Sequence, residues 1–554
     1  MSSPATFDPI SLEIMWKRLI GIADDMWTTV LRTAVSTIIG AAQDFGCEIL
    51  DATGSSIAHS NRSMPVFNLV MPTVTRAVIE RHPLETMQPG DVYITNDPWL
   101  CAGHLDDIAT ITPVFRRGQV VAFAVTIAHT TSIGGSLSNR TVRDIYEEGL
   151  RIPVLKLYDA GELNQTAWAF IRENVRTPEM VLTDIEATLT ANDLGVRRIS
   201  AFLDEYRLDN LETVVHEIQS HSEHAMREAI RALPNGVYEN DVWADGLDDP
   251  AHLHCRVTVH DDSIDIDYAG SDPQRTRGGL NCTLIYSQAH TVYPLKCLLS
   301  PEVPANEGTF RPFTITAPSG SILNCDVPAS VGSRVRTGWH LHALLFGALE
   351  TVMPDRVQAG NGLMSSIHVY GQERNGSFYN AHFFTAGGRG ASQGRDGIGR
   401  NCFPSSARNV PCEVFELRTP VLIQQRSLRT DSAGAGQWRG AFGHRIVFSA
   451  LPGYDRPLSF FLNPDRLRFP AAGMDGGEDG PCTEIIVNGH LLSIEELGSG
   501  QVILESPDDR LELHIPGGGG FGPPERRDPQ RLEDDVRSGL VAPDHAVVPQ
   551  AADD

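Results

Sequence analysis

The chain opens on a helical period. Apolar residues fall at Leu12, Met15, Leu19, Ile22, Met26 and Val30 with polar residues between them, which lays one apolar stripe along a helix. Asp8-Pro9 supplies an N-cap and a first-turn proline, and the helix is predicted to run to about Ile39. The period then changes. "FGCEILDATGSSIAHS" is two short apolar runs about an Asp-Ala-Thr-Gly turn, a β-hairpin with Asp44 just before its first strand. Residues 67–82 read as helix and "GDVYITND" as a strand. "IATITPVF" and "QVVAFAVTIAHTTSIGG" read as buried strands, the second ending at His129.

From 178 to 233 the pattern is helical and charged, which predicts a solvated helical hairpin with His221 and His224 on its wet face. "HCRVTVHDDSIDIDYAGS" alternates as strand, turn and strand. A helix is predicted over 284–299, a hairpin in "FTITAPSGSILN" and a helix over 335–353. The last third has many glycines and short strands. Strands and helices mix without a regular βαβ rhythm, so the fold class is α+β. Four regions follow: an N-terminal α/β domain over 1–177, the helical hairpin over 178–233, a mixed domain over 234–360 and a β-rich region with a Gly-rich tail over 361–554.

Composition narrows the function. A formal charge of −25 argues against nucleic acid, since phosphate contacts need clustered Lys and Arg. No apolar run is long enough for a membrane span, and the N-terminus lacks the basic-then-apolar order of a secretory signal. Nine scattered cysteines without a C-x-x-C pair fit reduced thiols in a cytoplasmic enzyme.

The stretch "NDPWLCAGHLDDIATITPVF" crowds His104, Asp106 and Asp107 against the start of a strand. With Asp44 before one strand and His129 at the end of another, two imidazoles and two carboxylates make a ligand set suited to divalent Zn, Mn or Fe. On spacing alone the same residues also serve as turn caps or satisfied core groups. Asp106 is open as an alternative ligand to Asp107 or as a catalytic carboxylate. "AGGRGASQGRDGIG" carries Arg389 and Asp396, which could close over a substrate or belong to a surface loop. "PGGGGFG" lacks the Lys and Ser/Thr of a P-loop, so a tight packing loop is expected there.

The order of "FDPISLEIMWKRLIGIADDM", "DFGCEILDATG", "NDPWLCAGHLDD", "EGLRIPVLKLYDAGEL", "ILNCDVPASVGSR", "RNVPCEVFELRTPV" and "IPGGGGFGPPERRDPQRLEDDVRSGLV" resembles the hydantoinase B/oxoprolinase family over nearly the whole chain. The resemblance implies a divalent metal held by Asp44, His104, Asp107 and His129. It also implies an A-type partner subunit that binds ATP and activates the substrate, in a hetero-oligomer. The reaction implied is hydrolysis of a cyclic amide, with ketone carboxylation as the alternative and a non-catalytic scaffold as a second. Two departures from the family pattern stand out. Ala41-Ala42-Gln43 and Gly46 replace the usual residues around Asp44, and Asp106 stands where proline is common.

Overall fold

A computed structural model describes residues 7–373, 376–399 and 402–545. Helices and four separate sheets give an α+β architecture, as expected. The first helix, Pro9–Thr33, is capped by the Asp8 carboxylate, which accepts from the amides of Ile10 and Ser11. It stops short of the expected Ile39. The Asp184 carboxylate takes the amides of Val35 and Ser36 at 2.8 and 3.3 Å, which holds the chain extended there. A separate turn of helix, Thr37–Gly40, follows under a Ser36 cap.

The sheet that matters for function has seven strands: β1 (Phe45–Asp51), β2 (Ser56–His59), β3 (Val92–Thr95), β4 (Asp107–Arg116), β5 (Gln119–His129), β6 (Leu155–Asp159) and β7 (Glu162–Leu163). Their order is β2-β1-β5-β4-β3-β6-β7, and every pairing is antiparallel. The central strands are buried along almost their whole length, so their apolar residues run on without strict alternation. Helices Pro9–Thr33 and Pro178–Glu205 pack on this sheet. Asn192 of the second helix donates to the Thr110 carbonyl and accepts from the Thr126 hydroxyl.

The segment expected as a solvated hairpin is two helices, Pro178–Glu205 and Glu212–Arg231. Its outer face is wet, and His221 and His224 are exposed. Its inner face is not, because Val181, Ile185, Phe202, Val214 and Ile218 are buried. "FTITAPSGSILN" is not a hairpin. Only Phe313–Thr316 is a strand, and it pairs in parallel with Ile264–Asp267. Gly320, at φ +75, turns the remainder into a loop. The expected helix over 335–353 breaks into Val335–Gly338 and Leu341–Leu349.

The last third forms two antiparallel sheets, of four and five strands. The Gly-rich tail threads between them. A Cβ on Gly518 would lie 2.2 Å from the Arg389 carbonyl oxygen and one on Gly517 1.7 Å from that of Ser432. Only glycine permits backbone to approach backbone this closely, so "PGGGGFG" is a packing strap, as expected.

Candidate functional site

Strand register assembles the site. Asp107 opens β4 directly opposite His129 at the end of β5. On the other side of β5, the His129 amide donates to the Asp44 carbonyl at 3.0 Å, just before β1 begins. Residues far apart in sequence therefore meet at one end of three adjacent strands. His104 comes from the turn before β4. Gly103, with φ +85, makes that turn possible, since a Cβ there would lie 2.9 Å from both Arg334 Cδ and Tyr286 Cβ.

One donor atom from each of His104, Asp106 and His129 lies within 4.8 Å of the others. His104 is buried, and neither of its ring nitrogens has a well-directed hydrogen bond among the described residues. Asp107 Oδ2 lies 2.8 Å from His104 Nε2, but off the hydrogen-bonding direction. Both ring nitrogens face carboxylate oxygens, with Asp106 Oδ2 3.4 Å from Nδ1, and a buried imidazole among carboxylates matches a site built for a cation.

Asp107 is already engaged. Its Oδ1 lies 3.0 Å from His129 Nδ1, and its Oδ2 accepts from Arg334 Nη2 at 2.8 Å. Arg334 in turn donates to the Ala102 carbonyl and sits 4.5 Å over the Tyr286 ring. Asp44 Oδ2 is 4.0 Å from His129 Nδ1.

These contacts set the charges. Burial opposes the Asp107 charge, but His104, His129 and Arg334 outweigh it and hold the carboxyl well below its ordinary range. Burial pushes Asp44 up to about 6 against the pull of His129. For His129, burial disfavours the cation, yet the Asp107 hydrogen bond and the nearby carboxylates raise it to about 9. Burial and then Arg334 lower His104, which keeps its imidazole neutral and able to bind a metal.

The cluster lines a cavity of about 180 Å³. Its apolar wall includes Met64, Phe67, Met364, Phe384 and Phe461. Glu148 also lines it, with Oε1 accepting from the amides of Val331 and Gly332 at 2.8 and 2.7 Å. Its Oε2 is buried without a partner, and burial pushes this carboxyl up to about 8 despite the two amides. His368 and His382 stack 4.2 Å apart, and His382 lies edge-on to His129.

Two expected residues lie elsewhere. Arg389 donates to Gln358 and sits over Phe403. Asp396 accepts from the Arg439 amide and from both terminal nitrogens of Arg527. Neither lines the cavity; Asp396 clasps the tail, and the loop carrying it is pinned to the Gly-rich strap. Spacing gave no sign of Arg334 or Glu148, although "ILNCDVPASVGSR" ends at Arg334 and "EGLRIPV" begins at Glu148.

The model of the family described as hydantoinase B/oxoprolinase matches residues 8–524. The chain belongs to that family. It is 30% identical to a Pseudomonas sp. (strain NS671) protein named as the B subunit of a putative D-/L-hydantoinase, over 98% of this chain and 94% of that one. The crystal structure of ATP-dependent caprolactamase from Pseudomonas jessenii matches with a TM-score of 0.87 at 26% identity, covering 98% of this chain and 96% of that one. A nucleotide-free acetone carboxylase structure, at 19% identity and a TM-score of 0.85, covers 97% of this chain and 79% of that one and shares the fold. No helix among the described residues is long and apolar enough to cross a membrane.

Proposed function

We propose that the chain is the metal-dependent B-type subunit of an ATP-dependent cyclic-amide hydrolase, acting on a substrate activated by an A-type partner. The observation that carries this reading is the buried His104 imidazole, without a well-directed hydrogen bond, grouped with His129 and Asp106. His104, His129 and Asp106 would hold a divalent ion, with Asp44 beside them. The donor set of nitrogen and carboxylate oxygen suits Zn, Mn or Fe. An ion there supplies Lewis acidity that polarises a carbonyl.

The chain's own residues prepare that step. Asp107 serves as the carboxylate behind a histidine ligand: it holds His129 Nδ1 and so directs the other ring nitrogen outward. Arg334 fixes Asp107 in turn. Glu148, with its carboxyl pushed up to about 8, would hold a proton at Oε2 for the ring nitrogen. That nitrogen leaves as a water molecule adds its oxygen to the carbonyl carbon. The apolar wall takes the ring's methylenes and limits water.

A ring amide is resonance-stabilised, which is the physical reason to couple its opening to ATP. The sequence has no P-loop, so ATP use falls to the partner. Relatives at 30% and 26% identity are named for a hydantoinase and a caprolactamase, which favours ring opening over ketone carboxylation. The convergence of Asp44, His104, Asp106, Asp107, His129 and Glu148 on one cavity weighs against a mere scaffold.

The test is metal analysis of the purified chain, then an assay of hydantoins and lactams with ATP, with and without a co-expressed A-type subunit. Ring opening is expected only with metal, ATP and partner together. Well-folded protein that takes up no Zn, Mn or Fe, or that opens rings alone without ATP, would overturn the reading.

A further inference from the structure

The cavity that holds the histidine–carboxylate cluster has a second charged feature, Arg140 and Arg336. Both are almost fully buried, with 5% and 4% of their surface exposed. Arg140 donates through Nε to the Gly498 carbonyl at 2.8 Å, and Arg336 through Nη2 to that of Gly246 at 2.9 Å. Three further nitrogens, Arg140 Nη1 and Arg336 Nε and Nη1, are buried without an acceptor. Neither guanidinium forms an ion pair among the described residues.

Two of the neighbouring carboxylates are committed elsewhere. Asp245 accepts the amides of Leu467, Arg468 and Phe469. Asp248 pairs with Arg277. Asp465, which also lines the cavity, takes His340 Nε2 and the Arg466 amide on Oδ1, while its Oδ2 is buried without a hydrogen bond among the described residues and neither Arg140 nor Arg336 reaches it as an ion pair. Burial and then the Arg336 charge pull Arg140 down to about 10, so the two cations sense each other. Two like charges kept out of water with unused donors are unfavourable unless an anion joins them.

We infer that Arg140 and Arg336 form an oxyanion subsite of this cavity and that it takes the phosphoryl group of an activated substrate. Three free donor nitrogens match three terminal phosphoryl oxygens, and two guanidinium charges match a dianion. A carboxylate would occupy only one such fork. The assignment of the phosphoryl group to a substrate rests on the proposed function. The binding of the anion does not.

The experiment therefore uses the isolated, chelator-treated chain with no partner or metal. Inorganic phosphate and acetate are each titrated calorimetrically into wild type, Arg140→Lys and Arg336→Lys. The lysine variants keep the charge and remove the planar fork, and near-ultraviolet circular dichroism checks their fold. Wild type should bind phosphate saturably and at least tenfold more tightly than acetate, with at least tenfold weakening in each variant. Absence of saturable phosphate binding by wild type, acetate binding as tight as phosphate, or unchanged binding in both folded variants would overturn the subsite. Phosphate binding by a chain that takes up no metal would overturn only the hydrolase reading. A metal-loaded chain that opens rings yet ignores phosphate would overturn only the subsite.

Discussion

Asp107 and His129 stand directly opposite each other on β4 and β5, and the carboxylate reaches the imidazole Nδ1 at 3.0 Å. The register of two strands thus sets a carboxylate against a histidine ring nitrogen. Arg334, brought in from 227 positions away, locks the pair.

The first prediction follows from that lock. Asp107→Asn keeps the shape but loses the charge that holds His129 Nδ1 and faces His104. Metal affinity should fall about 10- to 100-fold, measured by titration against a chelating indicator. Affinity equal to wild type would assign Asp107 a purely structural role. His129→Ala is the companion: the rise in melting temperature on adding metal should vanish. A packing histidine would instead cost roughly 1–3 kcal/mol and leave that rise in place.

Glu148 gives a pH signature. Its carboxyl is raised from 4.5 to about 8 in the folded chain, so the folded state holds a proton that the unfolded state has released. The stability this contributes is complete below about pH 4.5 and is lost as pH rises through 8. Its share of the slope approaches about 1.4 kcal/mol per pH unit within that window. Glu148→Gln should flatten the stability profile between pH 5 and 8 while still accepting the amides of Val331 and Gly332. Denaturant midpoints across that range decide it, and an unchanged slope would refute the raised carboxyl.

Gly103→Ala should harm both fold and site. It combines a left-handed backbone with a Cβ 2.9 Å from Arg334 and Tyr286. A loss of roughly 1–3 kcal/mol is expected, together with weaker metal binding through displaced Arg334. Wild-type melting temperature and affinity in this variant would show that the turn relaxes freely.

Asp396→Asn separates clasp from catalysis. Buried Arg527 loses part of its charge partner, which should lower the melting temperature by a few degrees. Metal affinity should remain at the wild-type value, because Asp396 does not line the cavity. A large fall in metal affinity with unchanged melting would return Asp396 to the site.

Local pattern alone determined the Asp8-capped helix, the hairpin around Asp51–Gly54, the buried strand ending at His129 and the polyglycine strap. Those features are written in periodicity, turn chemistry and the space a side chain needs, all carried by residues close in sequence. The stretch from His104 to Asp107 was likewise legible as a cluster of polar groups at a strand start. Which carboxylate serves which imidazole was not. That Asp107 meets both His129 and Arg334 is seen only in space. The helix break after Thr33 depends on Asp184, 149 positions from Val35, and Phe313–Thr316 finds a parallel partner instead of its own hairpin. A hydrogen bond between distant residues leaves no period in either segment, so only the tertiary structure decides it.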